Sequence, residues 1–304
     1  MTRTQATTVG FCAVLLWSLL ALLTISTGPV PPFQLNAMCF AIATGVGLVW
    51  AAHTGGVMQV VRLSWKTCAF GTLGLFGFHF FYFSALRLAP TAETGLIAYL
   101  WPLLIVLFSG LLPGERLRAG HVIGGLAGFA GAGLIILRGS GGADPGALSG
   151  YGFAVLSALT WSGYSVLSRR LQQTPTSSVV AFCALSAILS ALAHMAFEET
   201  AWPGSIGEWL CVLALGLGPA GLAFYVWDIG MKHGNIQLLG VLSYSAPLLS
   251  TSFLVLFGIA EATLALVVAA FLIAGGAALA ARADTGQVRV AEPVAAEVRK
   301  RPRP

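Results

Sequence analysis

The sequence predicts an all-α membrane protein in which ten transmembrane helices form two inverted five-helix repeats and both termini are cytoplasmic. Three observations support this prediction: the composition, the spacing of the apolar stretches, and motifs that recur about 144 residues apart. Hydrophobic residues make up 57% of the 304 residues, and charged residues only 9%. Because soluble domains carry about a quarter charged residues, the composition excludes a soluble globular protein.

Ten apolar stretches follow one another along the chain, each close to the roughly 20 residues that a helix needs to cross a bilayer. They occupy 7–27, 33–52, 67–88, 92–112, 119–138, 150–168, 177–197, 208–230, 235–257 and 262–281. The first is longer than the apolar core of a signal peptide, and Arg3 alone makes a weak basic flank. We therefore expect a retained first helix rather than a cleaved signal.

The Lys and Arg residues set the orientation of these stretches. Fourteen of the sixteen fall on the side that holds both termini, and only Arg87 and Arg138 fall on the other. Basic loops stay in the cytoplasm, so the termini are predicted to be cytoplasmic and the protein to be a multi-pass inner-membrane protein. The net charge of +5 then reflects topology, and we expect the lipid bilayer, and no nucleic acid, as a partner.

A repeat relates the two halves of the chain. The pairs Trp17-Ser18 and Trp161-Ser162 lie 144 residues apart, and Phe81-Tyr82 and Phe224-Tyr225 lie 143 apart. Because each repeat contains five helices, an odd number, the second must enter the membrane from the opposite face. Inverted halves of this kind provide a route to alternating access. Chance matches in a low-diversity apolar sequence are the alternative to a true repeat.

The repeat divides the chain into five parts. These are a cytoplasmic N-terminus (1–6), a first repeat (7–138), an external linker (139–149), a second repeat (150–282) and a disordered cytoplasmic tail (283–304). The tail is rich in Arg and Lys near its end, and low hydrophobicity with high charge is typical of disordered segments.

Segments 4 and 9 each contain a proline inside the apolar stretch. Pro102 and Pro247 lie 145 residues apart in matching contexts, Tyr-Leu-Trp-Pro-Leu-Leu and Tyr-Ser-Ala-Pro-Leu-Leu. Proline removes a helical hydrogen bond, so both helices should bend there. A broken helix at equivalent positions of two repeats indicates a central binding site near mid-membrane, and we interpret the two prolines as hinges.

Mid-span positions carry aromatic and hydroxyl side chains but no formal charge. A carrier of phosphorylated metabolites would need buried Lys or Arg, and a cation pump would need a buried carboxylate. A net-neutral zwitterion with an apolar side chain fits better, because aromatic faces stack on rings and attract ammonium groups. The candidate substrate-binding residues are Trp17, His79, Tyr82, Tyr99, Trp101, Trp161, Tyr164, Ser243 and Tyr244.

A purely structural role is the alternative for each of these residues. Aromatic side chains in membrane helices commonly serve as packing or interface anchors, and a histidine such as His79 can be neutral and structural rather than a proton relay. The glycines at 120, 124 and 128 form a stripe that allows close helix packing, with a homodimer interface as the alternative. The five cysteines have no paired spacing, so we expect no disulfide framework, metal site or cofactor.

Several motifs together resemble one known family. They are Ala85 to Ala92 (ALRLAPTA), the Pro102 bend, Leu112 to Leu117 (LPGERL), and their second copies Ile229 to Gly234 (IGMKHG), Pro247 and Gly258 to Glu261 (GIAE). This set resembles the EamA repeat of the drug/metabolite transporter superfamily, across all ten stretches. In the second copy Glu261 is followed by alanine, which departs from the Gly-Glu-Arg pattern of the first. Within the superfamily the aromatic richness is most similar to YddG-type exporters of aromatic amino acids.

The resemblance implies a transporter, not an enzyme, that exports aromatic and other neutral amino acids. A broader drug or metabolite exporter is the alternative within transport. A membrane-embedded enzyme acting on lipid would need an acid, base or metal at membrane depth, which His79 alone does not supply. A channel would differ from a carrier in lacking saturable kinetics and counterflow.

Overall fold

The computed structural model describes residues 1–137, 145–258 and 261–299. Every regular element within these ranges is helical. Nine helical stretches among the described residues are long and apolar enough to cross a membrane, as expected for an all-α membrane protein. Residues 138–144, which hold Arg138 and most of the predicted linker, and residues 300–304 lie outside the described residues.

The described residues form ten long helical units, which we number α1 to α10. They are α1 (Arg3–Ile25), α2 (Pro32–His53), α3 (Trp65–Leu88), α4 (Thr91–Ser109), α5 (Ala119–Ile136), α6 (Leu148–Ser168), α7 (Val179–Phe197), α8 (Ile206–His233), α9 (Ile236–Leu256) and α10 (Leu264–Arg299). A short helix, Val57–Val61, follows α2, and single 3₁₀ turns occupy Pro145–Ala147, Arg169–Leu171 and Thr176–Ser178. All ten units overlap the ten apolar stretches of the sequence.

Among the long units of the described ranges, α6 alone falls outside the nine apolar spans. Its serines at 157, 162 and 165 are buried, and the hydroxyls of Ser157 and Ser162 donate to carbonyls within the helix. A helix surrounded by protein needs less apolar surface than one that faces lipid, because its polar groups are satisfied internally. The lower hydropathy of α6 therefore agrees with the polar, buried face that it turns towards the bundle, whereas Val155, Leu156 and Leu159 of the same helix are exposed.

Local sequence explains where several helices begin. Thr2 and Gln5 form a capping box at the start of α1, in which each side chain bonds the backbone N–H of the other residue, at 3.2 and 2.8 Å. Pro32 occupies the first position of α2, where its missing N–H costs nothing. Asn235 accepts the N–H of Leu238 at the start of α9. These caps satisfy donors that a helix leaves free at its N-terminus.

Helices α4 and α9 are interrupted, but the break lies before the proline rather than at it. Helix α4 consists of Thr91–Ala98 and Trp101–Ser109, and α9 of Ile236–Leu242 and Ser245–Leu256. Pro102 and Pro247 therefore lie in the first turn of the second half-helix, where proline is tolerated because that N–H has no helical acceptor. The interruption predicted from the sequence is confirmed, and its position moves about three residues towards the N-terminus.

Helices α3 and α8 each contain a π-helical turn. Residues Leu73–Gly77 form this turn in α3 and Gly218–Leu222 form it in α8. The two turns begin 145 residues apart, the same offset as the two prolines. Single π turns inside α-helices widen the backbone locally and are frequent at functional sites. Both repeats thus carry the same local irregularity in their third helix.

Five of the pairings between helices show a twofold arrangement. Helix α1 packs on α8 and α3 packs on α6, while α2 packs on α7, α4 on α9 and α5 on α10. Exchanging the repeats converts the first pairing into the second and leaves the other three unchanged. This pattern fits the two-repeat layout, and every one of these pairings joins the first repeat to the second.

The glycine stripe of α5 packs inside the chain. A Cβ placed on Gly120 would lie 2.9 Å from Ala283, and one on Gly124 would collide with the carbonyl oxygen of Gly276, both on α10. Any larger residue at Gly124 would therefore force the two backbones apart. The stripe serves close packing of α5 against α10 and, at Gly128, against Tyr244 of α9, and a homodimer would have to use another surface.

Helix α10 continues to Arg299, into the segment for which the sequence predicts a disordered tail. Alanine, which has the highest helix propensity, recurs in this segment. The predicted boundary near residue 282 is therefore not an end of helical structure.

Candidate functional site

Four tryptophans from four helices meet at the centre of the bundle. Trp17 on α1, Trp101 on α4, Trp161 on α6 and Trp227 on α8 lie with every pair of ring centroids 5.0 to 6.4 Å apart. Five of the six pairs are edge-on or tilted, the arrangement that aromatic quadrupoles favour. We call these four residues the tryptophan cluster. It contains two rings from each repeat, so it lies where the repeats meet.

The indole N–H groups on either side of the cluster have defined partners. Trp17 Nε1 donates to the carbonyl of Pro219, 3.0 Å away in the π turn of α8. In a regular helix that carbonyl would accept the N–H of Ala223, which here bonds Gly218 and Gly221 instead. Trp227 Nε1 donates to Ser165 Oγ at 3.0 Å. The π turn thus supplies the carbonyl that fixes the first tryptophan.

Side chains of α3 extend the cluster. Phe78 lies 5.6 Å from Trp161, stacks on Tyr82 at 5.9 Å with an angle of 4° between the rings, and contacts His79 at 5.0 Å. Phe78 therefore connects two predicted site residues to the tryptophans. The three α3 residues all follow closely after the π turn of that helix.

Most of the predicted site residues come together around this cluster. Tyr164 lies 5.5 Å from Trp161, and Tyr99 lies 6.3 Å from Trp101. The two residues differ in accessibility: Tyr164 is buried, as is Trp161, whereas Tyr99 is partly exposed. Phe78, His79 and Tyr82 are also partly exposed. The group thus has a buried centre formed by Trp101, Trp161 and Trp227. Its accessible margin lies on α3 and α4 and includes Trp17 of α1, which is partly exposed.

Ser243 and Tyr244 lie apart from the tryptophan cluster, at the break of α9. Both are fully buried. Ser243 Oγ donates to the carbonyl of Leu239, and Tyr244 Oη accepts the backbone N–H of Leu103 at 3.1 Å. Because α4 is broken ahead of it, the N–H of Leu103 has no regular helical acceptor. Tyr244 therefore connects the break of α9 to the break of α4.

Three aromatic residues of the site were not among the sequence candidates: Phe78, Phe224 and Trp227. Phe224 lies 5.8 Å from Trp161 and 6.2 Å from Trp17. Phe224 and Trp227 are three residues apart and so share one helix face. The same spacing relates His79 to Tyr82 and Trp161 to Tyr164. A search for aromatic pairs at this spacing in every segment would therefore have found Phe224 and Trp227.

A carboxylate bridges the repeats at the end of the bundle that holds the chain termini, which we call the basic end. Glu115, between α4 and α5, forms ion pairs with Arg169, which follows α6, and with Arg3, at 3.1 Å, and it accepts from Gln237 of α9 at 3.2 Å. Burial by itself raises the pKa of Glu115, but the bond and charge of Arg169, with Arg3 and Gln237, hold the pKa below its usual value.

A second carboxylate bridges the repeats at the opposite end, which we call the acidic end. Glu198, which follows α7, accepts from Arg87 at 2.7 Å and from the backbone N–H groups of Phe33 and Gln34 at 3.0 and 3.1 Å. His194 Nδ1 lies 3.0 Å from the same carboxylate. The Glu198 side chain is 1% exposed. Each end of the bundle therefore has one acidic residue that holds the two repeats together.

Two apolar grooves lie away from the aromatic site. One, of about 610 Å³, is lined by residues of α2 and α8 that include Met38, Ile42 and Leu213, and the other, of about 450 Å³, lies between α9 and α10. Their linings are almost entirely apolar, which suits contact with lipid chains rather than with a zwitterion.

Within the described ranges no three His, Cys, Asp or Glu residues are grouped in a way that could hold a metal ion.

Comparison with known proteins identifies a family. The model of the EamA-like transporter family matches residues 5–137 and 148–282, so it matches nearly the whole chain in two copies. A crystal structure of a chain 54% identical in sequence superimposes with a TM-score of 0.88, covering 92% of this chain and 98% of that one.

Three curated relatives carry the same description, aromatic amino acid exporter YddG. The protein from Ancylobacter novellus is 55% identical over 283 residues, which cover 92% of this chain and 98% of the relative. The proteins from Salmonella typhimurium and Escherichia coli are 26% and 23% identical, covering 83% and 92% of this chain and 88% and 97% of the relatives.

Proposed function

Because this chain belongs to the EamA-like transporter family, we propose that it exports aromatic and other neutral amino acids by alternating access between its two repeats. The observation that carries the proposal is the 55% identity, over nearly the full length of both chains, to an aromatic amino acid exporter. The aromatic residues gathered where the repeats meet supply a suitable surface, since aromatic rings stack on one another and attract ammonium groups.

The protein is a multi-pass inner-membrane protein. We propose that all ten helical units cross the membrane, with the termini in the cytoplasm, because fourteen of sixteen basic residues then lie inside. The repeats in this proposal are residues 7–138 and 150–282, flanked by the N-terminus 1–6 and the tail 283–304 and separated by the external linker 139–149. The basic end is then cytoplasmic and the acidic end external.

The proposed substrate site is the accessible margin of the aromatic group together with the tryptophans behind it. It comprises Trp17, His79, Tyr82, Tyr99, Trp101, Trp161 and Tyr164, with Phe78, Phe224 and Trp227 added from their contacts. Ser243 and Tyr244, whose hydroxyls bond within the bundle, act in this proposal as supports that hold the α4 and α9 breaks together. Pro102 and Pro247, beside those breaks, are the proposed hinges.

The two bridging carboxylates provide the gates of the proposed cycle. Glu115 holds the repeats together at the basic end, and Glu198 holds them together at the acidic end. Alternating access requires that one end separates while the other stays closed. In this proposal each half of the cycle breaks the contacts of one carboxylate and keeps those of the other.

Functions outside amino acid transport account less well for these features. The buried carboxylate of Asp228, next to Trp227, is paired with Lys232 at 2.8 Å, and among the described residues no three His, Cys, Asp or Glu side chains could hold a metal ion, so we propose no catalytic role. A broader drug or metabolite exporter is the second candidate, favoured by the width of the aromatic surface. Neutral amino acids and bilayer lipid are the proposed partners, with no nucleic acid and no required homodimer.

The test is counterflow of radiolabelled phenylalanine into liposomes that contain the purified protein, with threonine as a small neutral comparison. We expect saturable exchange of both and a preference for phenylalanine. Each substrate is measured with and without a pH gradient, and an effect of the gradient would assign a coupled proton. Absence of exchange with either amino acid would reject amino acid export and favour the broader exporter.

A further inference from the structure

The imidazole of His79 has one ring nitrogen with a defined partner. Nδ1 lies 2.7 Å from the carbonyl oxygen of Leu75, in the π turn of α3. A carbonyl oxygen only accepts hydrogen bonds, so Nδ1 must carry the proton in this contact. In the neutral ring Nε2 is then an unprotonated acceptor. The π turn therefore determines which nitrogen offers a lone pair.

The second ring nitrogen, Nε2, is the one available to a ligand. It makes no hydrogen bond with any residue in the described portion of the chain, and the His79 side chain is partly exposed. The rings around the imidazole come from three helices and are all uncharged. They are Phe40, Phe78, Phe83 and Phe224, at centroid distances of 5.3, 5.0, 5.8 and 6.2 Å.

An acceptor surrounded by aromatic rings suits an ammonium group. One N–H of the ammonium can donate to Nε2, and its charge is attracted to ring faces within about 6 Å. We propose that His79 Nε2 accepts a hydrogen bond from the α-ammonium group of the transported amino acid, and so sets the orientation in which the substrate binds. This inference rests on the proposed function, since it names one contact of that site.

The opposite direction of hydrogen bonding, in which Nε2 donates to the substrate, fits the surroundings of the imidazole less well. A protonated imidazole could donate from Nε2 to the substrate carboxylate, but before substrate binds its charge would lie among the four uncharged rings without a counter-ion. A buried charge without a partner is strongly unfavourable. The two hydrogen-bond directions predict different preferences between ligands that keep the ammonium group and ligands that keep the carboxylate, so an experiment can distinguish them.

Two substitutions separate the hydrogen bond that Nδ1 makes to Leu75 from the acceptor that Nε2 provides. In His79→Asn the side-chain amide reaches the position of Nδ1, so the bond to Leu75 can persist while the acceptor at Nε2 is removed. In His79→Gln the longer amide reaches the position of Nε2 and can present its oxygen as an acceptor. The first variant should therefore lose the ammonium contact, and the second should retain it.

The experiment measures competition by three ligands against phenylalanine binding to the purified protein and against phenylalanine counterflow. The ligands are phenylalanine, phenethylamine, which lacks the carboxylate, and 3-phenylpropionate, which lacks the ammonium group. A hydrogen bond to a charged group is worth enough to change affinity about tenfold. In His79→Asn we expect phenylalanine and phenethylamine to weaken about tenfold and 3-phenylpropionate to be unchanged.

The controls keep this result distinct from loss of folding or of the proposed function. His79→Gln should stay within about threefold of the wild type for all three ligands. An equal loss for all three ligands in His79→Asn, a loss confined to 3-phenylpropionate, or no change for any ligand would each overturn the proposal. Failure of the wild-type protein to bind or exchange phenylalanine would instead reject the proposed function itself.

Discussion

Tyr82 is the predicted site residue that combines partial exposure with a stacked aromatic neighbour, Phe78. Its neighbour in sequence, Phe81, packs on Phe153 of α6 at 6.1 Å. The two side chains have nearly the same size but different surroundings. This pair makes it possible to separate a role in substrate binding from a role in packing.

We expect Tyr82→Ala to raise the half-saturation concentration for phenylalanine about three- to tenfold, because an aromatic pair contributes about 0.5–1.5 kcal/mol beyond burial. Phe81→Ala serves as the matched control and should leave that concentration within about twofold. Counterflow kinetics of the two variants provide the measurement. Equal effects of the two substitutions would remove Tyr82 from the site.

The Glu115 carboxylate gives the stability of the protein a defined pH dependence. Its pKa is lower in the folded protein than in the unfolded chain, where it is about 4.3. A depressed pKa contributes stability that is present above the unfolded value and is lost as the pH falls through the folded value. The contribution should therefore be complete at pH 7 and should disappear in acid.

We expect Glu115→Gln to lower the free energy of unfolding by about 2 kcal/mol at pH 7, since it removes charge-assisted hydrogen bonds from a partly buried site. The difference between the two proteins should shrink below about pH 4. Thermal unfolding in detergent across pH 3 to 7 checks this. A difference that does not change with pH would show that charge at Glu115 is not the cause.

At the scale of elements, the broken helices α4 and α9 are joined by one hydrogen bond. Tyr244 Oη accepts the N–H of Leu103, and both groups are buried at the two breaks. Tyr99 is the repeat counterpart of Tyr244, but its side chain is partly exposed. The two repeats therefore use equivalent tyrosines differently, one as a support and one at the margin of the aromatic site.

Replacement of Tyr244 by Phe removes the acceptor and leaves the N–H of Leu103 buried without a partner. We expect a loss of about 1–3 kcal/mol in the free energy of unfolding. The matched variant Tyr99→Phe should cost less than about 0.5 kcal/mol, because an accessible hydroxyl can be replaced by solvent or substrate contacts. Denaturation of the two variants under the same conditions provides the comparison, and equal losses would contradict the assigned support.

For the molecule as a whole, substitutions of the two bridging carboxylates should have opposite effects. Each should shift the equilibrium between the conformation open at the basic end and the conformation open at the acidic end, in opposite directions. Glu115→Gln weakens the closed basic end, and Glu198→Gln weakens the closed acidic end. Spin-label distances across each end, measured by pulsed electron resonance, should lengthen at the basic end in the first variant and at the acidic end in the second. Lengthening at the same end in both variants would argue against alternating gates.

The orientation of the molecule is testable by reporter fusions. Fusions of a fluorescent protein, which folds in the cytoplasm, and of a phosphatase, which is active outside it, can be placed at each terminus. We expect fluorescence and no phosphatase activity at both ends, because nearly all of the basic residues lie on that side. Phosphatase activity at one terminus alone would contradict an even number of crossings, and activity at both would contradict the cytoplasmic orientation.

Much of the architecture could be predicted from the sequence because membrane insertion depends on local properties. A run of about 20 apolar residues must satisfy its backbone groups internally and so forms a helix. The ten units, the interrupted helices α4 and α9, and the relation between the repeats followed from hydropathy, proline and recurrence. Membership of the EamA-like family was likewise readable from short motifs such as Leu112 to Leu117.

The tertiary structure decided the features that depend on distant residues. Trp227 joins Trp17, Trp101 and Trp161 only because α8 packs against α1 and α6, which brings these four rings together. The bond from Trp17 to the π turn of α8, the Tyr244 bond and the two bridging carboxylates likewise involve partners far apart in the chain. Apolar sequence specifies that a segment crosses the membrane, but lipid is as apolar as a protein interior. Hydropathy alone therefore cannot tell which face of a helix meets its neighbours, and that choice decides the composition of the site.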